Sequence, residues 1–292
     1  MKNGRFLRGS DEVITSRQNA FVKELCALSE KKQREKCGLF RFDGLKLCEE
    51  ALRTGVEITA VAVRESSLER VESWLQDRVG SGGFSPECRV KILADGVFEK
   101  ISEEKSPDGI ICAAKALDKF HKITTINNIP ENLKHLSADG QPARILFLAE
   151  LRDPGNVGTV LRTAAAFGIE CVLLSKDVAD LYQPRTLRAS MGAIFRLPTL
   201  RVDGSVADAI RVLRESGRRV YATALDDTAS ALGEFPLSRG DCFVIGNEGH
   251  GLSADVIAAA THSVYIPMAP GSESLNAAIA ATVCMWELRK AD

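Results

Sequence analysis

The sequence predicts an α/β protein of two domains, the second built on a parallel sheet. The chain has 292 residues, which is long enough for two domains. Strand-like apolar runs alternate with helix-like stretches in both halves. Between the halves, residues 119–141 are polar and show no long period, which is typical of a linker or of a hairpin lying over the next domain. We therefore predict an N-terminal domain at 1–118, a linker at 119–141 and a C-terminal domain at 142–292.

Composition limits the classes of function. Hydrophobic residues make up 45% of the chain and charged residues 26%, as in an ordinary globular protein. The net charge of −1 argues against a protein that coats nucleic acid through bulk charge. Residues 1–40 nevertheless carry nine Lys and Arg against five Asp and Glu, a local charge of +4. That patch fits a solvated helix face and an RNA-contacting face equally well.

Targeting and cysteine patterns point to a cytoplasmic protein. The first residues, MKNGRFLRGSDEV, contain no apolar run, so we expect neither a signal peptide nor a membrane span. The eight cysteines are scattered, with no C-x-x-C pair and no histidine at ligand spacing. We therefore expect reduced thiols and no metal site.

The N-terminal domain is predicted as a small α/β unit with its own core. Its helices are expected at Ile14–Lys36, Leu45–Thr54, Ser67–Arg78 and Asp95–Ile101. Its strands are expected at Leu39–Phe42, Ile58–Val63, Arg89–Leu93 and Ile110–Ala116.

The α/β alternation restarts at Ala143 and opens with a βαβ unit, which favours parallel pairing. Strands are expected at Arg144–Leu151, Glu170–Ser175, Ala193–Leu197, Arg219–Ala224, Asp241–Gly246 and Val264–Met268. Helices are expected at Val157–Phe167, Arg185–Met191, Ser205–Ser216, from Ser253, and after Ser274. Asn156 and Ser274 are the predicted N-caps of the first and last of these helices.

Three strand-to-helix junctions are rich in polar residues and glycine: Asp153–Arg162, Gly246–Gly251 and Ala269–Asn276. Because ligands collect beyond the carboxyl ends of parallel strands, these junctions are predicted to form one site. The loop spacing G-x-x-G-x-G differs from the nucleotide-binding fingerprints, which weakens an ATP or nicotinamide interpretation. Taken singly, each junction is also explained by a tight turn, a cap or a solvated arginine.

Together the three segments resemble the SpoU/TrmH family of RNA ribose 2′-O-methyltransferases, within the SPOUT class. The matching stretches are DPGNVGTVLRTAAAFG from Asp153, FVIGNEGHGLS from Phe243 and IPMAPGSESLNAAIAA from Ile266. The N-terminal part is similar to the small substrate-binding domain of such enzymes, best at FRFDGLKLCEEAL, where Asp43 stands in place of the more frequent Glu. The resemblance implies a deep trefoil knot, a homodimer through the catalytic domain, and S-adenosylmethionine as cofactor with S-adenosylhomocysteine as product.

The resemblance also assigns site residues by position. It implies catalytic roles for Asn156, Arg162, Glu248, Ser274 and Asn276. It implies cofactor contacts for Gly246, Asn247, Glu248, Gly251, Ile266, Met268, Ser274, Leu275 and Asn276. No metal is expected.

The implied reaction is methyl transfer to a ribose 2′-hydroxyl in structured RNA. A 23S-type guanosine or uridine is the favoured target, and transfer RNA remains possible. Arg162 is either the base that takes the hydroxyl proton or a clamp for phosphate and developing charge. Two alternatives stay open: a non-catalytic RNA-binding module of the same fold, and a nucleotide-dependent metabolic enzyme that uses the Gly246 loop.

Overall fold

The computed structural model of the protein describes residues 12–79, 84–103, 106–118, 120–136, 140–226, 228–271 and 274–291. Part of the predicted basic patch, from Lys2 to Asp11, lies outside the described residues, as do Ser272 and Glu273 of the third motif. In chain order the described strands are β1 (Val13–Ile14), β2 (Leu39–Asp43), β3 (Ile58–Arg64), β4 (Arg89–Leu93), β5 (Ile110–Lys115), β6 (His121–Thr125), β7 (Ile145–Leu148), β8 (Cys171–Leu174), β9 (Thr199–Asp203), β10 (Val220–Thr223), β11 (Ser230–Ala231), β12 (Cys242–Ile245) and β13 (His262–Tyr265). The described α-helices are α1 (Ala20–Ala27), α2 (Lys31–Cys37), α3 (Leu45–Arg53), α4 (Leu68–Val79), α5 (Asp95–Ile101), α6 (Ile129–Lys134), α7 (Pro154–Ala166), α8 (Pro184–Ser190), α9 (Val206–Glu215), α10 (Ala254–Ala259) and α11 (Ala277–Arg289).

The first compact unit contains the described residues up to Leu117 and the segment Tyr182–Phe195. Its five-stranded sheet has the order β1-β4-β3-β5-β2, parallel between β1, β4 and β3 and antiparallel at β5. Helices α1 and α5 cover one face through a core that includes Leu25 and Phe98. Alternate residues of β3, Ala60 and Ala62, point into that core, as the two-residue period of a strand requires.

The predicted single helix at Ile14–Lys36 was wrong. The structure has strand β1 followed by two helices, α1 and α2, with a break at residues 28–30. The buried guanidinium of Arg34 donates through Nη1 to the carbonyl oxygens of Leu28 and Ser29, at 2.8 and 2.6 Å. Those carbonyls lie at the end of α1, where intrahelical partners run out, so the arginine stabilises the break.

The division of the chain differs from the predicted one because a segment from the second half belongs to the first unit. Within that unit, the ring of Tyr182 stacks on Phe40 with 4.5 Å between centroids, and Phe195 lies 5.4 Å from Phe42. Phe40 and Phe42 share one face of β2 and are fully buried. The predicted strand Ala193–Leu197 was also wrong, since Ala193–Phe195 is a 3-10 turn and the strand begins at Thr199.

The second unit is built on an eight-stranded sheet with the order β11-β13-β10-β12-β7-β8-β9-β6. Every described pairing in it is parallel, as predicted. The segment 119–141, predicted as a linker or a hairpin, contains β6, which pairs with β9 at one edge of this sheet, and α6. An edge strand with exposed residues such as Ile123 has no apolar alternation, and this explains why the sequence does not reveal it.

Both faces of this sheet are covered. Helices α6, α9 and α10 pack on one face in a core that includes Ile145, Phe147 and Ile210. The alternate residues of β7, Leu146 and Leu148, are fully buried on the other face, where α11 packs against α7 and β12. Among the described residues, no helix has the length and hydropathy that a membrane crossing needs.

Candidate active site

The first site element is the start of α7, which follows the carboxyl end of β7. Asp153 is the N-cap: its carboxylate accepts a hydrogen bond from the backbone N–H of Asn156 at 2.8 Å, and Pro154 takes the first helical position. The prediction that Asn156 caps this helix was therefore wrong. Because Asn156 lies inside the first turn, both atoms of its side-chain amide are available to other segments.

The second element is the loop 246–251 after β12. Asn247 and Gly251 exchange two backbone hydrogen bonds of 3.0 and 3.1 Å, which folds the loop back on itself. A β-carbon on Gly246 would lie 2.5 Å from the carbonyl carbon of Gly251, so only glycine permits this approach. The Asn247 side chain donates to the carbonyl of Glu150 and accepts from Gly249 N–H, at 2.9 and 2.8 Å, which ties the loop to the end of β7.

The third element is the start of α11. Asn276 is its N-cap, accepting hydrogen bonds from the N–H groups of Ala278 and Ile279 at 2.9 and 3.3 Å. The prediction that Ser274 caps this helix, with Leu275 and Asn276 in its first turn, was wrong. Both Ser274 and Leu275 precede the cap and line the cavity described below.

A chain of hydrogen bonds connects the three elements. Asn276 Nδ2 donates to Asn156 Oδ1 at 3.0 Å, and Asn156 Nδ2 donates to Glu248 Oε1 at 3.1 Å. Glu248 also accepts from the backbone N–H groups of Arg152 and Asp153, at 3.3 and 3.1 Å. We call this chain of hydrogen bonds between Asn276, Asn156 and Glu248 the relay. It confirms that the three sequence junctions meet at one place.

Electrostatics around the relay keep Glu248 ionised. Burial raises the pKa of the Glu248 carboxyl. The hydrogen bonds it accepts from the Asn156 side chain and from backbone N–H groups act in the opposite direction and outweigh burial. The net effect is a pKa below the ordinary value of a glutamate, so the relay ends on a carboxylate.

Arg162 is not part of this relay. It is exposed on α7, six residues beyond Asn156, which corresponds to about 9 Å along the helix axis. Among the described residues it has neither a hydrogen-bond nor an ion-pair partner. Its guanidinium is therefore open to a ligand from outside the chain.

A cavity of about 380 Å³ lies beside the relay, at the carboxyl ends of β10, β12 and β13. Eight of the predicted cofactor-contacting residues line it: Gly246, Asn247, Glu248, Gly251, Ile266, Met268, Ser274 and Leu275. Asn276 borders the relay and is not among the lining residues. The sequence missed Thr223, Ala224 and Leu225 at the end of β10, because only the strand order shows that β10 lies between β12 and β13.

The cavity has the properties of a site for a cofactor that carries both apolar and polar groups. Its volume is within the range of about 300–1,000 Å³ typical of small-molecule sites. Ile245, Ile266 and Leu275 supply apolar wall, and the glycine loop brings backbone to the edge. Within the described part of the chain, no group of three or more His, Cys, Asp or Glu side chains is arranged to hold a metal ion.

The second unit carries a cavity of cofactor size at the carboxyl ends of parallel strands, and comparisons with known proteins specify the family. Residues 143–286 match the model of the SpoU rRNA Methylase family, and residues 19–112 match that of the MRM3-like substrate binding domain. The chain is 30% identical over 276 residues to the 23S rRNA (guanosine(2553)-2′-O)-methyltransferase RlmP of Bacillus subtilis, covering 94% of this chain and 98% of that protein. It is 33% identical over 278 residues to an uncharacterized tRNA/rRNA methyltransferase of Synechocystis sp., with 95% and 93% covered.

Solved structures give the same result. The AdoMet-bound rRNA methyltransferase from Sinorhizobium meliloti superposes with a TM-score of 0.75 at 28% identity, covering 96% of this chain and 97% of that one. An RNA 2′-O ribose methyltransferase superposes with a TM-score of 0.76 at 29% identity, covering 96% and 98%. The chain belongs to the SpoU/TrmH family of RNA 2′-O-methyltransferases, which confirms the resemblance found in the sequence.

Proposed function

We propose that this protein transfers the methyl group of S-adenosylmethionine to a ribose 2′-hydroxyl in structured RNA. The observation that carries the proposal is the relay from Asn276 through Asn156 to Glu248, placed beside a cavity of cofactor size. The names of two relatives support it: one is a 23S rRNA guanosine 2′-O-methyltransferase, and one solved rRNA methyltransferase is AdoMet-bound. Ribosomal RNA is therefore the proposed substrate class ahead of transfer RNA.

The cofactor would be held at the cavity by the backbone of Gly246, Ile266 and Leu275, beside Met268 and Gly251. The fit is supported by Gly246, because a side chain there would prevent the loop from closing around the cavity. S-Adenosylmethionine supplies an electrophilic methyl group, so the chain has to position the reacting ribose oxygen and exclude competing water. Ser274, exposed at the same edge, and the relay amides are proposed to place the ribose.

We assign Arg162 the role of an electrostatic clamp in preference to that of a base. A guanidinium stays protonated in proteins, and in this chain no described carboxylate occupies it. Its charge would bind the phosphate beside the target ribose and stabilise the alkoxide that develops on the 2′-oxygen. The acceptor of the hydroxyl proton is then a water molecule or a group of the RNA.

Arg162→Ala tests this assignment. We expect turnover to fall by about 100-fold or more, which is typical of removing a transition-state donor, while the affinity for S-adenosylmethionine changes little. Arg162→Lys retains the charge without the planar fork and should recover part of the rate. Equal losses of turnover and cofactor affinity in Arg162→Ala would show that the residue is structural.

Exposed lysines of the N-terminal unit are the proposed contacts to the RNA backbone. Lys23 on α1 and Lys32 and Lys36 on α2 are exposed, and none of them has an ion-pair partner among the described residues. Lys32 and Lys36 are one helical turn apart, where like charges repel unless a polyanion lies across them. These lysines would provide attraction without a sequence code, and base recognition would come from loops of the RNA itself.

Ribose-methylation mapping of total RNA from cells with and without the gene tests the proposed function directly. Loss of one 2′-O-methyl mark in the deletion strain, restored by the wild-type gene and not by Arg162→Ala, is the expected result. Survival of every ribosomal and transfer RNA mark would favour the non-catalytic RNA-binding module.

We also propose that the protein forms a homodimer through α11 and that its C-terminal chain is knotted. The support for the dimer is a row of apolar side chains on or just before α11, at Leu275, Ile279 and Trp286, exposed by 39, 50 and 50%. Sedimentation should show a dimer for the wild type and a monomer for Ile279→Glu. The matched control is Ile123→Glu on the edge strand β6, which should stay dimeric.

A further inference from the structure

Three ionisable side chains, one of which lines the cavity, have no part in the mechanism above. The Glu150 carboxylate oxygen Oε2 lies 3.2 Å from Arg152 Nη2 and 3.8 Å from His250 Nε2. His250 lines the cavity, and the side chains of Arg152 and His250 are 64% and 59% exposed. Glu150, Arg152 and His250 therefore form one solvent-facing group, which we call the rim cluster.

The backbone at Glu150 is strained. Its φ is +58°, in the left-handed region that a β-carbon disfavours and that glycine adopts easily. Two contacts enforce this conformation: Glu150 N–H donates to Ser175 Oγ, and its carbonyl accepts from Asn247 Nδ2, each at 2.9 Å. Glu150 thus places a carboxylate where the backbone favours glycine, which points to a use for that side chain.

The location of the rim cluster indicates what that task is. The backbone N–H of Arg152 donates to Glu248, so the cluster is one hydrogen bond away from the relay. The relay is where the target ribose would be held. Each ribose in RNA is flanked by phosphates, and a cation this close to the ribose site meets one of them.

We propose that the rim cluster binds an RNA phosphate next to the target ribose, with Glu150 as the positioning residue for Arg152 and His250. This inference rests on the proposed function and adds a substrate contact to it. Glu150 engages one terminal nitrogen of the guanidinium. Among the described residues the other donors of the Arg152 guanidinium have no partner, so Arg152 can bind a phosphate while Glu150 fixes its orientation.

The variant Glu150→Gln distinguishes a residue that positions Arg152 and His250 from one that acts only through its own negative charge. If Glu150 acted only through its negative charge, removing that charge would strengthen the binding of RNA. If Glu150 orients Arg152 and His250, the same change weakens binding even though the site loses a negative charge. We expect the Kd for a fluorescein-labelled hairpin RNA, measured by anisotropy, to rise about 5- to 10-fold. Tighter or unchanged binding would overturn the proposal.

Two further variants separate the phosphate contact from folding. Glu150→Gly relieves the backbone strain, so its melting temperature should equal or exceed that of the wild type while its RNA affinity falls. Arg152→Gln should lower the slope of log Kd against log salt by about 1, the loss of one phosphate contact. Lys122→Gln is the matched control, an exposed cation of the same unit on the edge strand β6, three strands away from β7, and should keep the wild-type affinity and slope.

Kinetics complete the test and keep it separate from the test of the proposed function. With active protein, Glu150→Gln should raise the KM for RNA with little change in kcat or in affinity for S-adenosylmethionine. Normal methyl transfer with unchanged RNA binding in all three rim variants would refute the rim cluster alone. The expected losses of RNA binding in a protein that transfers no methyl group would refute the proposed function and support the phosphate contact.

Discussion

Gly246→Ala tests whether loop 246–251 holds the cofactor. The added β-carbon would lie 2.5 Å from Gly251 C, 2.7 Å from Gly251 O and 2.8 Å from Leu252 N, all backbone atoms that cannot rotate away. Ordinary contact begins near 3.4 Å, so the loop would have to open by about 0.9 Å and stretch the paired hydrogen bonds between Asn247 and Gly251. Overpacking of this kind costs about 1–3 kcal/mol. If the conformation that binds the cofactor bears this cost, the Kd for S-adenosylmethionine rises roughly 5- to 150-fold.

The matched control lies in the same loop. A β-carbon on Gly249 would meet only Asn247 Oδ1, at 3.5 Å, and Gly249 lies outside the left-handed region. Gly249→Ala should therefore bind S-adenosylmethionine within about twofold of wild type, because its new methyl group makes an ordinary contact. Titration calorimetry gives both constants, and thermal melting shows whether the variants fold. Wild-type affinity in Gly246→Ala, or an equal loss in Gly249→Ala, would refute the reasoning.

Two further predictions concern a helix cap and a buried carboxyl. Asn276→Ala should lower the free energy of unfolding by about 1 kcal/mol, because the helix loses its cap. Asn276→Asp should restore the melting temperature but not methyl transfer, because aspartate lacks the Nδ2 donor to Asn156. If the aspartate restored both, Asn276 would act only as a cap. Burial raises the pKa of Asp43 despite the opposing charge of Arg41, so its contribution to stability is full below the ordinary value of 3.8 and is lost as pH rises through the folded pKa. Asp43→Asn can still accept the hydrogen bond from Ser102. Measured by urea unfolding, the stability of this variant relative to the wild type should therefore increase between about pH 4 and pH 7. An equal stability difference at both pH values would contradict the predicted sign.

The sequence predicted the composition of the site better than its geometry. Three polar junctions after apolar strands were enough to predict one site, because the carboxyl ends of parallel strands share an edge. Eight predicted cofactor contacts line the cavity for that reason. The contribution of Thr223, Ala224 and Leu225 depends on β10 lying between β12 and β13, and strand order depends on pairings between distant segments.

The two wrong caps have a common cause. Near each helix start the sequence offers two residues able to cap, Asp153 and Asn156 at α7, and Ser274 and Asn276 at α11. Propensity does not choose between candidates two or three residues apart. The choice depends on which side chain faces the helix N–H groups and which is needed by another segment, and both are properties of the folded chain.

The cap at α11 fixes the direction of every hydrogen bond in the relay. The free N–H groups of Ala278 and Ile279 require an acceptor, so the oxygen of the Asn276 amide faces the helix and its nitrogen faces outward. Asn156 must then present its oxygen to Asn276 and its nitrogen to Glu248, which has to be an acceptor and is held ionised. The start of one helix thus orients an amide on a second helix and a carboxylate on a loop. These three residues form a single unit, because turning either amide around would leave two like groups facing each other.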